Sequence, residues 1–529
     1  MADLYYAESH RPSTKNFRQL AKMKYLNLSG NLIFVTIALV FLPSLLHALF
    51  RQWTRYRVSR QLGCQPPPSL PQKDPIFGFD VLKTLMQMVK SHRHNTFLRE
   101  NFEKYGSTFR YTLFNKSQHC TIDPQNLKAV FSTDFAKWGV QPLRLFPLEP
   151  FIGKGIMTVD GKMWEHSRAL IKPTFARAQI SDFTALEVHV SRLLDLIPTD
   201  GSTVNLQPLF RRFGIDTSTE FLFGESVLSL VPGNNNIDAA AFIAAYNYGQ
   251  KGAGVRMRLP RWNFLTRDKK FWKSCATARE FIERYVDLAL AGAESNANGR
   301  RFILAHEMAK ESRNREDIRN NLLNIFLPAN DATAIVLTNI FFHLARNPRI
   351  WAKLQAEVLA HGSLDTGSSN LTLEGLKSMK YLQYTINEIL RLHPPIGTLT
   401  RVALQDTMLP SGGGHDGKSP IFVMKGSALS SSLYCLHRSK EIYGEDALTF
   451  RPERWETLRP PHWGYLPFGG GPRVCPGQQY GLAEVAYTIV RFLQRFKSIE
   501  NRDPVLEYVE EYRIATESTN GAKVALTSF

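Results

Sequence analysis

The sequence predicts a mainly α fold with minor β, built as one large domain behind a single N-terminal transmembrane helix. Three observations lead there. Apolar residues recur with helical spacing through most of residues 76–529, and alternating stretches are short and few. No internal repeat, low-complexity break or second linker interrupts that span, although 529 residues alone would allow three domains. One uncharged apolar run stands ahead of it.

Composition bounds the function classes. With 43% hydrophobic and 21% charged residues the chain can bury a large core and is not disordered. A mean hydropathy of -0.22 excludes a polytopic membrane protein while allowing one span. Five cysteines, an odd number spread from Cys64 to Cys475, form no disulfide framework. The net charge of +18 calls for an anionic partner, such as a membrane surface, an acidic protein or nucleic acid. No zinc pattern, RNP-type strand or compact basic reading helix supports the last, so no nucleic-acid partner is expected.

Residues 1–25 are a basic segment, and residues 26–50 are the anchor. Leu26 to Phe50 carries no ionisable side chain except His47. As a helix, the almost wholly apolar stretch Leu32 to Phe50 spans roughly 28 Å, enough for a bilayer core. The run ends in Phe50-Arg51 without a small-x-small cleavage site, which favours an anchor over a signal peptide. Nine Lys/Arg against two acids in residues 1–60 place +7 of the +18 around it. Five of those cations precede the span and four follow it, so charge alone does not orient it. Residues 51–75 form a basic, proline-rich hinge, in which Gln65-Pro66-Pro67-Pro68-Ser69-Leu70-Pro71 is a stiff extended spacer. The globular domain is assigned to 76–529.

Within the domain, Thr108–Leu113 and Ile421–Met424 alternate as strands do. Asp123-Pro124 reads as an N-cap followed by proline at the first helical position, and Asn347-Pro348 separates two long helices. Trp164-Glu-His-Ser-Arg168 puts an indole N–H and a guanidinium on one helix face, both donors only, as a carboxylate ligand requires. Arg256–Lys273 interleaves seven cations with Trp262, Phe264, Phe271 and Trp272: a solvated face, or a surface for lipid phosphates.

Phe468-Gly-Gly-Gly471-Pro-Arg473-Val-Cys475-Pro-Gly477 is the most informative stretch. Three consecutive glycines suit a backbone that turns sharply and lies close to a flat ligand. A cysteine just ahead of the helical pattern Gln478–Phe496 sits in a field that favours thiolate, the metal-ligating form. Cys64, Cys120, Cys275 and Cys435 lack such a context and read as ordinary buried cysteines.

This stretch resembles the cysteine loop of the cytochrome P-450 superfamily, and the likeness covers roughly residues 70–529. Glu388-Ile-Leu-Arg391 is similar to that family's ExxR motif, and Pro452-Glu453-Arg454-Trp455 to the segment supplying the third member of its structural triad. The resemblance implies haem as cofactor, with Cys475 as axial thiolate to iron. It further implies that Trp164, Arg168, Arg401 and Arg473 meet haem propionates, and that Phe468, Gly471 and Gly477 of the cysteine loop also bind the cofactor. Thr407–Pro420, Gly153–Gly161 and Cys475–Gln479 look like the fungal branch that includes alkane and fatty-acid hydroxylases and also serves secondary metabolism.

Two positions depart from the family pattern. Where the oxygen-activating helix should read [AG]-G-x-[DE]-T-[TS], this chain has Pro328-Ala-Asn-Asp331-Ala332-Thr333. Asp331 is the proton-relay acid the resemblance implies, while Thr333 is a poor replacement for the hydroxyl missing at 332, since one residue turns a side chain about 100° around the helix. Beside the ligand, Pro476 has no N–H to offer the thiolate.

The implied activity is a monooxygenase that inserts one oxygen atom from O2 into a lipophilic small molecule, a fatty-acid-like chain or a fungal secondary metabolite. The implied partners are NADPH-cytochrome reductase, cytochrome b5 and the lipid bilayer, with Lys172 and Arg177 among the cations available for reductase docking. The implied location is the endoplasmic reticulum membrane, single-pass, with the catalytic domain in the cytosol. Two alternatives stay open: a haem-thiolate isomerase or dehydratase, to which Ala332 gives weight, and a non-catalytic haem-binding membrane protein.

Overall fold

A computed structural model describes residues 42–175, 182–233, 237–258, 268–292, 303–361 and 371–529. The chain forms two compact units, residues 1–65 and 66–529. In the first, residues 42–61 are helical, and Leu42, Leu45, Leu46, Leu49 and Phe50 expose their side chains. The basic segment 1–25 and most of the expected anchor 26–50 lie outside the described residues.

The second unit is mainly helical with small sheets, as the sequence predicts. Its axis is the 32-residue helix Arg315–Arg346, started by the Asn314 side chain, which accepts the Asp317 N–H at 3.2 Å. Among the described residues this is the one helix long and apolar enough to cross a membrane, but 78% of its apolar window is buried inside the domain, as a core helix requires. It ends at Asn347, and Pro348–His361 follows, the break expected at Asn347-Pro348.

Two neighbours fix the position of this central helix. Leu206–Phe223 crosses it closely because Gly214 has no side chain: a Cβ there would lie 2.3 Å from the Asn330 carbonyl oxygen. Gln478–Arg495, the helix predicted behind the cysteine loop, also packs against it. Phe210, Phe341 and Phe492, one from each of the three helices and all fully buried, lock them with ring centroids 4.4–5.8 Å apart. Truncating one such ring costs about 3–5 kcal/mol.

Thr108–Leu113 and Lys116–Thr121 form a hairpin at the edge of a five-stranded sheet that also contains Ala428–Ser432, Thr398–Ala403 and Trp138–Gly139. The proline-rich segment is extended, as predicted, and Leu70 N–H and Pro68 C=O bond the backbone of Arg110, laying it along the first strand. Asp123 caps its helix through the Gln125 and Asn126 N–H groups. The strand expected over Ile421–Met424 runs from Ser419 to Val423 and pairs with Thr407–Gly413.

Candidate active site

The cysteine loop is held from behind by a buried charge cluster. Glu388 and Arg391 share one face of helix Lys380–Leu392, both fully buried, and Arg391 donates two 2.9 Å bonds to the two Glu388 carboxylate oxygens. Arg454 Nε, Trp455 Nε1 and Arg451 N–H donate to the same carboxylate at 2.9, 3.0 and 2.9 Å. Arg391 spends its remaining N–H groups on the carbonyls of His437, Ala447 and Thr449. An exposed pair at this spacing would be worth little, whereas here every donor and acceptor is used. The cluster ties the helix to the segment that leads through Tyr465 and Leu466 into Phe468.

In the loop, Cys475 N–H donates to the Phe468 carbonyl at 3.1 Å, closing the turn. Gly471 has a φ of +68°, and a Cβ on it would fall 1.7 Å from the Phe131 carbonyl oxygen, so no other residue fits. It is absent from the walls of the cavities described below. The structure corrects its expected role: Gly471 packs the loop onto Phe131 rather than facing the ligand. Cys120, Cys275 and Cys435 are buried as expected, Cys64 is half-buried rather than buried, and Cys475 is exposed and opens onto two adjoining cavities of about 290 and 210 Å3. Both are lined mainly by apolar side chains, and both include Pro328, Ala332, Thr333, Leu399 and Phe468. Burial pushes the Cys475 thiol up from its ordinary value, while the Gly477 N–H and the nearby Arg168 charge favour the thiolate. Gly477 therefore supplies a backbone hydrogen bond that Pro476 cannot.

The same cavity holds a concentration of guanidinium groups. Arg401 projects from strand Thr398–Ala403, Arg168 from helix Gly161–Ile171, Arg473 from the cysteine loop and Arg144 from helix Gln141–Ile152, and all four line the larger cavity with Trp164. Arg473 is stacked 4.6 Å over the Trp164 ring and Arg401 4.8 Å over Phe131. Arg168 donates to the Val474 carbonyl at 2.8 Å, binding its helix to the loop. Asp160 is the carboxylate found within this group. It accepts from Arg473 at 2.7 Å and from the Val140 and Gln141 N–H groups. Burial, then the charges of Arg144 and Arg473, depress Arg401 to about 9. Burial, with Arg144 and Arg168 as further causes, depresses Arg473 to about 10 although Asp160 opposes it. Buried positive charge in such excess needs an anion.

The sequence signals differ in how they place. Trp164, Arg168, Arg401, Phe468, Arg473, Cys475 and Gly477 come together around the larger cavity. Arg144 was missed, because nothing near it in sequence marks it. Thr333 lines the cavity, but its hydroxyl is engaged at 2.6 Å by Glu484 Oε2. Asp331 lies elsewhere: it accepts from Gln250 and faces a small separate cavity with Arg211 and Glu517. Asp331 and Thr333 therefore face different cavities.

The basic stretch is described in part. Arg256 is buried, donates to the Pro147 carbonyl at 3.1 Å, and lies over Phe271 and Trp272. Arg261, Trp262, Phe264 and Arg267 fall outside the described residues, as does Arg177. Lys172 is exposed.

A mainly helical domain that places an accessible thiol and a cluster of arginines on the walls of one apolar cavity has the donor set for a dianionic, flat, iron-bearing macrocycle, which defines the class of haem-thiolate proteins. The cytochrome P450 family model matches residues 68–520. Cytochrome P450 monooxygenase himC of Aspergillus japonicus is 38% identical over 92% of this chain and 88% of its own. Cytochrome P450 monooxygenase FPY7 of Fusarium mangiferae is 40% identical, over 89% of this chain and 91% of its own. Cytochrome P450 52A5 of Candida maltosa is 38% identical, over 89% and 92%. The chain belongs to the cytochrome P450 family and is a haem-dependent monooxygenase.

Proposed function

We propose that this enzyme hydroxylates a lipophilic substrate, a fatty-acid-like chain or a secondary metabolite of a fungus, with Cys475 as the iron ligand. The observation that carries this reading is the apolar cavity whose walls carry both Cys475 and the four arginines. Haem bound there supplies the oxygen-activating chemistry. Cys475 holds its iron, Arg144, Arg168, Arg401, Arg473 and Trp164 hold its propionates, and the apolar walls exclude water and orient the substrate. The Glu388–Arg391–Arg454 cluster keeps the loop in register for that ligation.

The same reading includes a helical anchor at 26–50, residence on the endoplasmic reticulum membrane with the domain in the cytosol, and electrons from an NADPH-cytochrome reductase, with cytochrome b5 as a second donor. The likeness to fungal monooxygenases, the uncharged run Leu26–Phe50 and the cations on both sides of it support this. Difference spectroscopy tests the substrate class: fatty acids, alkanes and aromatic polyketides are titrated into the holoenzyme, and binders are carried to product identification. A displacement spectrum confined to small hydrophilic compounds overturns the lipophilic reading.

A further inference from the structure

Asp160 stands where an aspartate ordinarily caps its own helix, and it does not do so. It directly precedes helix Gly161–Ile171, yet its side chain accepts none of that helix's N–H groups. Its oxygens serve two other elements instead. Both lie 3.0 Å from the Val140 nitrogen, Oδ2 accepts the Gln141 N–H at 2.8 Å, and Oδ1 accepts Arg473 Nη2 at 2.7 Å. The Asp160 N–H returns a bond to Gln141 Oε1 at 3.0 Å. Helix Gln141–Ile152 has the apolar Val140 at its own N-cap, so Asp160 caps it from outside.

This one carboxylate touches or adjoins every element of the arginine cluster. Helix Gln141–Ile152 carries Arg144 in its first turn, helix Gly161–Ile171 carries Trp164 and Arg168, and Gly139 pairs with Val402, next to Arg401. Gly139 is a glycine for want of space: its φ is not left-handed, and a Cβ there would fall 2.3 Å from Asp160 Oδ2. Arg473 also donates to the Ile156 and Val159 carbonyls, and Arg144 donates to that of Met157. Burial depresses Arg144 and Arg401, and at both the Asp160 charge opposes that depression. A dianionic macrocycle answers two of the four guanidinium charges, and Asp160 answers a third. Asp160 is absent from the walls of both cavities, so it acts through these neighbours.

We propose that Asp160 is a positioning residue for haem: it holds Arg473 and the start of the Arg144 helix where the propionates are received, and its negative charge keeps the iron potential low. Removing that charge stabilises the reduced, more negative haem, so the potential rises. The proposal rests on the haem-thiolate reading of Cys475. The reduced carbon-monoxide spectrum is therefore recorded first for every variant, and an intact thiolate-type band separates failure here from failure there.

The test uses holoenzyme of the full chain. Asp160→Asn keeps an oxygen for the helix N–H groups and removes the charge. Potentiometric titration of the iron is expected to give a potential above the parent, and Asp160→Glu, which restores the charge, a potential closer to it. A merely structural aspartate would leave the potential unmoved. Gly139→Ala keeps every charge but crowds Oδ2 off its partners, and haem transfer to an apo-acceptor should run roughly tenfold faster. A potential at or below the parent in Asp160→Asn, no recovery in Asp160→Glu, or transfer from Gly139→Ala within about twofold of the parent overturns the proposal. Should Asp160→Asn fail to accumulate, Gly139→Ala decides alone.

Discussion

Glu388 and Arg391 are joined by two parallel 2.9 Å hydrogen bonds, and neither side chain reaches solvent. Removing one partner strands the other charge in the interior. Arg391→Leu is expected to destabilise the domain by about 3–5 kcal/mol. Arg391→Lys keeps the charge but loses the fork and the bonds to His437, Ala447 and Thr449, and should also fail to hold haem. Thermal denaturation with the carbon-monoxide spectrum checks both. A stable, haem-loaded lysine variant contradicts the expectation.

Cys475→Ser removes the soft ligand with little change in volume. The red-shifted thiolate band and turnover should vanish while circular dichroism stays native, because Cys475 sits on a cavity wall rather than in packed core.

Gly471→Ala should behave as a loop defect. The left-handed φ and the Phe131 carbonyl oxygen 1.7 Å from the added Cβ together predict a loss above ~1 kcal/mol, with weakened haem retention. Chemical denaturation reads the first and haem transfer to an apo-acceptor the second.

Arg401 gives haem retention a pH dependence. Its guanidinium, with Arg144, Arg473 and Asp160 around it, is depressed to about 9 in the protein without haem. A propionate binds the protonated form and raises that value. Affinity is therefore full below about pH 9 and declines as pH rises through it. Haem-transfer rates measured from pH 7 to 10 should accelerate across that window, and Arg401→Gln should flatten the profile while speeding transfer at pH 7.

Pro476→Ala adds an N–H beside the thiolate, next to the Gly477 N–H that already serves it. Hydrogen bonds withdraw electron density from sulfur, so the iron potential should rise. Ala332→Thr, on the wall of both cavities, should lower peroxide release per oxygen consumed. An unchanged potential, or unchanged peroxide release, refutes the respective half.

Local order was legible where chemistry is local. The Asp123 cap, the Asn347 break, the helix behind Cys475 and the strand Thr108–Leu113 all follow from spacing and turn residues. The cysteine loop and the ExxR spacing announced themselves because few sequences place glycines, an arginine and a cysteine that way. Arg144 did not, since its meaning depends on Arg401 and Arg473, which lie hundreds of residues away. A surface pair and a buried triad member look alike in Glu388-Ile-Leu-Arg391, and only the packing of Arg454 and Trp455 around them distinguishes the two.

The order of residues by itself determined the helical character of the domain, the identity of the reactive thiol and the missing hydroxyl at 332, because each is a property of one segment. The three-dimensional packing decided which carboxyl group shares the cavity with that thiol. Asp331 and Thr333 are two residues apart on one helix, and that rotation sends the first toward Gln250 and the second toward Glu484. No local pattern records which helix lies on either side.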